Sequence, residues 1–175
     1  GLLEVADVVI ESSRPAALAH RGLGPTPCGG RVWLRITGHG AVGECANWVA
    51  FGDDAAVSGG LVGGTDDEPM FCGDAIADPL AGLHAALAIV ESLGRGGGER
   101  IELSMAAVAA TYARYDRAAE TRCTTTPATT PPAAQLGADN ATVERLLAES
   151  RLASCCFSGQ LSSTAPLPTS VSTSR

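Results

Sequence analysis

Three short apolar runs, each separated from the next by a helix-like segment or a glycine-broken loop, constrain the fold of this sequence more than any other feature. Ala6-Asp7-Val8-Val9-Ile10-Glu11 is bounded by polar residues and reads as a buried strand. Arg31-Val32-Trp33-Leu34-Arg35-Ile36-Thr37 alternates polar and apolar side chains and predicts a second strand; Glu99 to Leu103 predicts a third. Arg14 to Gly22 reads as a short helix, with Ser13 able to cap it and Pro15 tolerated in its first turn. A glycine-broken loop runs from Gly38 to about Cys45, and a helix is predicted over Trp48 to Ser58, ended by Gly59 to Gly64. Residues 78–94 carry the strongest helix signal: Asp78 suits the N-cap, Pro79 suits N1, and Leu80, Leu83, Leu87 and Val90 repeat at three and four. Ser104 opens an alanine-rich helix to about Ala119. Strands alternating with helices predict an α/β fold with a parallel sheet.

Composition changes after Glu120, which sets 1–120 apart from the rest of the chain. Residues 121–134 are mainly Thr, Pro and Ala and read as a linker. A C-terminal helix is expected within 135–152, its amphipathic part from Asp139, and 153–175 reads as a disordered tail rich in Ser, Thr and Pro. For the whole chain, 45% hydrophobic against 18% charged residues argues for a packed core. A net charge of −7 and the lack of any basic cluster argue against a nucleic-acid partner. No apolar run reaches the roughly 18 residues that span a bilayer, and the opening residues lack the layout of a signal peptide, so the expectation is a soluble cytoplasmic protein with no membrane partner. All 12 basic residues are Arg, which leaves no lysine for a Schiff base or a phosphate loop. The six cysteines form no C-x-x-C pair and read as reduced thiols; no metal site is expected.

Several segments carry candidate chemistry. Gly38-His39-Gly40-Ala41-Val42-Gly43 matches G-x-G-x-x-G after a strand, but Glu44 to Asn47 do not open a periodic helix, so a strand-to-helix loop near a ligand fits better than a dinucleotide site. Asp78 is the most informative carboxylate. Its plain role is helix N-cap; its chemical role is a nucleophile that attacks a thioester, with Gly82 leaving room one turn later. His84, beside the leucine stripe, reads as a packed side chain. His20 and Arg21 suit either a solvated helix end or an anionic ligand. Asp53-Asp54 and Asp66-Asp67-Glu68 read as solvated acidic runs. Neither a G-x-S-x-G elbow nor an H-E-x-x-H motif occurs.

Taken in order, these segments resemble the family III CoA-transferases, the CaiB/BaiF type, which also includes α-methylacyl-CoA racemases. Ala6 to Pro15 is similar to A-D-V-V-[IV]-E-N-[FY]-R-P, Leu18 to Gly24 to L-x-R-L-G-L-G, and Ile36 to Gly43 to I-S-G-F-G-x-x-G. Ile76-Ala77-Asp78-Pro79-Leu80-Ala81-Gly82-Leu83-His84-Ala85-Ala86 resembles I-A-D-x-x-[AT]-G-[LM]-[YH]-A-A, and Gly94 to Met105 resembles G-R-G-Q-x-[IV]-x-[VL]-S-[ML]. Pro131 to Leu147 is similar to the family's closing segment. The resemblance implies a partial Rossmann-like parallel sheet with flanking helices, followed by a disordered linker and one C-terminal helix. It implies that Asp78 is the catalytic carboxylate, that Ser12, Ser13 and Arg14 lie along coenzyme A, and that His20 or Arg21 meets its phosphates. Acyl-CoA and a small carboxylic acid would be substrates, no cofactor would be held permanently, and the working form would be a homodimer.

This sequence departs from the family pattern at three places. His20 stands where the family has an arginine, His39 where it has an aromatic, and Val49, Ala50 and Phe51 where racemases carry a histidine. Without a second acid/base, proton exchange beside a thioester lacks a partner, so the racemase or dehydratase reading ranks below the transferase. Family members are more than about twice this length. A shortened or internally deleted member is therefore the expectation, with a non-catalytic remnant or subunit-binding fragment as the alternative.

Overall fold

A computed structural model describes residues 2–24, 29–115, 124–126 and 128–158. The chain divides into two units, Ala6–Thr124 and a second made of Gly1–Val5 with Thr125–Arg175.

The larger unit is built on a three-stranded parallel sheet. Strands β1 (Val8–Glu11), β2 (Val32–Thr37) and β5 (Arg100–Ser104) lie in the order β1-β2-β5, with Val8 opposite Val32 and Leu34 opposite Ile101. Because side chains alternate along a strand, Val32, Leu34, Ile101 and Leu103 share one face. Helices α3 (Gly52–Ser58), α4 (Ala77–Gly94) and α5 (Met105–Tyr112) supply the rest of that core through Ala55, Ala56, Ala77, Ala81, Ala85, Val108 and Ala109. Glu11, Trp33, Arg35 and Glu102 share the opposite face. There the buried Glu11 accepts from Trp33 Nε1 at 2.9 Å and meets Arg35 at 3.2 Å. The α/β architecture with a parallel sheet is as the sequence predicts.

Helix α2 is short (Pro15–Ala19). The segment predicted as helix from Trp48 starts instead at Gly52, because Asp54 turns back to accept the Phe51 N–H at 2.9 Å and fixes the first turn there. A 3-10 turn occupies Glu44–Asn47, and the segment Val62–Gly64 pairs with Pro69–Phe71 as an exposed antiparallel ribbon, β3 and β4. The ribbon is a feature the sequence reading leaves as loop. Ser104 caps α5 by accepting from Ala107 N–H, and α5 ends at Tyr112; residues 116–119 lie outside the described residues.

Helix α4 corrects one expectation. It begins at Ala77, so Asp78 sits inside its first turn, and the N-cap position falls to Ile76 with no side-chain cap. The stripe Leu83, Leu87 and Val90 faces outward at 67, 59 and 67% exposure, whereas Ala77, Ala81, Ala85 and Ser92 are buried. Small side chains let α4 approach α5 and the sheet closely, and the bulkier face is left outside.

In the smaller unit, α1 (Leu2–Val5) accompanies α6 (Asn140–Ser158). Helix α6 follows a turn in which Gly137 adopts φ +83, and it runs on past Leu152 to Ser158. Residues 124–126 and 128–134 of the expected linker form no regular element, whereas its residues 121–123 and 127, and residues 159–175 of the expected tail, lie outside the described residues. Among the described residues no helix is long and apolar enough to cross a membrane.

Candidate active site

In a parallel sheet, ligands collect outside the carboxyl ends of the strands. The carboxyl ends of β1, β2 and β5 are all represented in one cleft of about 400 Å³, through Ser12, Ser13 and Arg14, through Thr37 and Gly38, and through Met105. Its remaining walls come from the 3-10 turn and the extended stretch after it, and from Asp78 at the start of α4. A volume in this range is typical of a small-molecule site.

Four of the six residues singled out from sequence therefore meet here: Ser12, Ser13, Arg14 and Asp78. His20 lies in a neighbouring depression of about 330 Å³ together with Ala17, Asn47 and the shared Arg14. Arg21 is exposed and lines neither cavity. His39 stands outside the main cleft, edge-on to Trp48 with ring centroids 5.8 Å apart. His84 is a packed side chain, as its sequence context suggests, with Nε2 3.1 Å from the Tyr112 hydroxyl between α4 and α5.

Glycines shape the cleft floor. A Cβ on Gly38 would fall 2.5 Å from the Ala50 Cβ, so only glycine lets the extended stretch lie across the end of β2. Thr37 fixes the loop beyond by accepting Gly40 N–H at 3.0 Å and donating to Leu103 O at 3.3 Å. The G-x-G-x-x-G loop then enters the 3-10 turn rather than a long helix.

Asp78 stands exposed in the first turn of α4. Its carboxylate accepts no hydrogen bond from any described residue, while its own N–H donates to Ala75 O at 2.9 Å. The free backbone N–H groups of a helix start favour negative charge nearby. Ala75 adopts φ +46, a left-handed conformation that costs an L-residue about 1–2 kcal/mol. It is held there by Asp53, whose Oδ1 accepts the Ala75 N–H at 2.7 Å. Gly52, next to Asp53, lies so close that a Cβ would come 2.8 Å from Asp78 Cγ. Sequence reasoning treats Asp53 and Asp54 as solvated acids and passes over Gly52. Their placement rests on the approach of α3 to α4, for which local sequence carries no signal beyond a glycine ahead of two acids.

Among the described residues of the larger unit, the strongest pKa displacement lies elsewhere. Paired hydrogen bonds from Arg95 lower the Glu99 carboxyl to about 2, next to the amino end of β5 and opposite to the cleft. Among the described residues no group of three His, Cys, Asp or Glu is placed to hold a metal ion.

The family model described as CoA-transferase family III matches residues 1–145. Similar solved structures include a CaiB/BaiF family protein from Brucella suis, at 28% identity and TM-score 0.54, covering 63% of this chain and 32% of that one. A hypothetical protein from Mycobacterium tuberculosis aligns at 25% identity and TM-score 0.56, covering 63% of this chain and 35% of that one. The aligned part thus spans about a third of the length of these solved relatives. No curated protein matches.

Proposed function

The chain belongs to CoA-transferase family III, and from that premise we propose that it moves coenzyme A between an acyl-CoA thioester and a small carboxylic acid through a covalent intermediate on Asp78. The observation that carries this reading is the position of that carboxylate: exposed, without a hydrogen-bond partner among the described residues, and lining a cleft with Ser12, Ser13 and Arg14.

An Asp78 oxygen attacks the donor's thioester carbon, the C–S bond breaks, and CoA leaves as thiolate with the bonding electrons. The thiolate then attacks the Asp78 carbonyl carbon of the mixed anhydride and expels the donor carboxylate, leaving an aspartyl-CoA thioester. The acceptor carboxylate attacks that thioester, again releasing thiolate, which takes the acceptor's acyl carbon and frees Asp78. No proton is consumed over the cycle and no permanent cofactor is required. Ser12, Ser13 and Arg14 bind along coenzyme A. Arg14, with His20 beside it, supplies positive charge for phosphate, and Arg21 enters this proposal only through the sequence pattern. Among the described residues, the lining of the main cleft offers Asp78 as a carboxylate and no histidine, which supports transfer over racemisation. A homodimer and a cytoplasmic setting belong to the same reading. The outward apolar face of α4 supports the first.

A second reading, binding of coenzyme A or of a related subunit without turnover, is favoured by the exposure of Trp48, Val49 and Phe51 on the cleft wall, since an anhydride needs water excluded. Incubation with an acyl-CoA, a hydroxylamine quench and intact-mass analysis separates the two. A hydroxamate on Asp78, absent from Asp78→Asn, supports transfer; binding with no adduct supports the second reading.

A further inference from the structure

The contact between Asp53 and Ala75 is separate from the cap of α3, which Asp54 supplies on Phe51. It reaches instead across to the residue that launches α4. Ala75 is the one non-glycine residue in the left-handed region among the described residues. Its N–H points to Asp53 Oδ1 at 2.7 Å, and its carbonyl accepts the N–H of Asp78 at 2.9 Å. Asp53 and Asp78 are thus joined through a single backbone unit whose conformation an L-residue rarely adopts unaided. Gly52 completes the cradle, since the space its missing side chain leaves is bounded by Ala75 C=O and Asp78 Cγ.

We propose that Asp53 is a positioning residue for the nucleophile: by fixing Ala75 in its left-handed conformation it sets the first turn of α4 and so the direction of the Asp78 carboxylate into the cleft. The inference rests on the reading of Asp78 as nucleophile. Asp53 does not line the main cleft and acts through the backbone alone. Misdirection of a nucleophile by a fraction of an ångström lowers its rate even when the fold is intact.

The test uses the full chain, an acyl-CoA, and the hydroxylamine-trapped adduct on Asp78 as readout, with the Ala75 amide resonance followed in a nitrogen-15 correlation spectrum. Asp53→Ala should form the adduct about tenfold more slowly or worse. Asp53→Asn keeps an acceptor oxygen and should retain at least about a third of the wild-type rate. Adding Ala75→Gly to Asp53→Ala should restore part of the rate, because glycine holds a positive φ without the bond. An adduct rate in Asp53→Ala equal to wild type overturns the proposal. So does a loss of the same size in Asp53→Asn and Asp53→Ala that follows their melting temperatures, which marks a merely structural role. If the wild type itself forms no adduct, the nucleophile reading falls, and the spectrum then judges the contact by itself. An Ala75 amide that moves in Asp53→Ala and stays in Asp53→Asn upholds the link to α4; one that is unmoved in both removes it.

Discussion

Gly52 has no side chain to lose, yet a methyl group added there meets Ala75 C=O and Asp78 Cγ at once. Gly52→Ala must therefore push α4 away or turn the carboxylate. We expect a loss of about 1–3 kcal/mol in urea unfolding, typical of overpacking, together with a fall in Asp78 adduct formation larger than the stability change explains. Trapping of the adduct at the wild-type rate in Gly52→Ala would mean that the cradle does not orient the carboxylate. A different single-residue test concerns Glu11, 3% exposed, one oxygen of which accepts from Trp33 while the other takes no bond from any described residue. Its charge is matched by Arg35 at 3.2 Å, a Coulombic contact rather than a well-aligned hydrogen bond. Arg35→Met strands a buried carboxylate, and equilibrium unfolding should show about 3–5 kcal/mol lost; a cost under about 1 kcal/mol means that water already reaches Glu11. At this scale Asp78 draws notice through its place near a helix start, whereas Ser12, Ser13 and Arg14 enter through the family resemblance alone; that all four line one cleft is decided by the tertiary fold. Asp53 and Ala75 were not legible, because alanine in a left-handed conformation and an acid aimed at another element leave no mark in the neighbouring sequence.

At the scale of elements, α4 shows what periodicity can and cannot decide. The spacing of Leu80, Leu83, Leu87 and Val90 marks a helix where Ala77–Gly94 forms one, since a 3.6-residue repeat is a property of the helix itself, although it does not set the first residue. Which face turns inward depends on what the helix meets. Here the alternatives were a leucine stripe and an alanine stripe, and the buried one is Ala77, Ala81 and Ala85. The same logic governs the end of α3, where the C-cap Gly59 approaches α5 so closely that a Cβ would lie 2.6 Å from the Ala109 Cβ. Close packing by small residues predicts an inverted mutational pattern. Ala81→Leu, which adds bulk at a site 2% exposed, should destabilise by about 1–3 kcal/mol, whereas Leu83→Ala should change stability by no more than about 0.5 kcal/mol. Midpoints from urea titration at constant slope decide it: equal losses, or a larger loss from Leu83→Ala, would mean that the leucine face is the packed one.

Among the described residues of the larger unit, exposed apolar side chains gather on particular elements. Leu83, Leu87 and Val90 lie outward along α4, and Met70 and Phe71 are exposed on the β3-β4 ribbon. A row at i, i+4 and i+7 on one helix forms a continuous strip, whereas single exposed apolar residues are ordinary. The sheet adds to this, for among the described residues both of its outer strands, β1 and β5, have one edge without a partner strand. Hydrophobic surface left in water drives association in proportion to the area removed on contact, and it does so without needing charge complementarity from a chain of net charge −7. The chain at working concentrations should therefore self-associate. Sedimentation velocity from low to high micromolar concentration should show the weight-average coefficient rising. Leu87→Arg, which inserts a charge into the middle of the strip at a residue already 59% exposed, should return the chain toward monomer with its unfolding free energy changed by no more than about 0.5 kcal/mol. Raising ionic strength should strengthen the wild-type association, because screening reduces like-charge repulsion and leaves the hydrophobic term intact. A sedimentation coefficient that stays flat across the concentration range, or a Leu87→Arg variant that associates as the wild type does, would mean that the strip on α4 is not where copies of this chain meet.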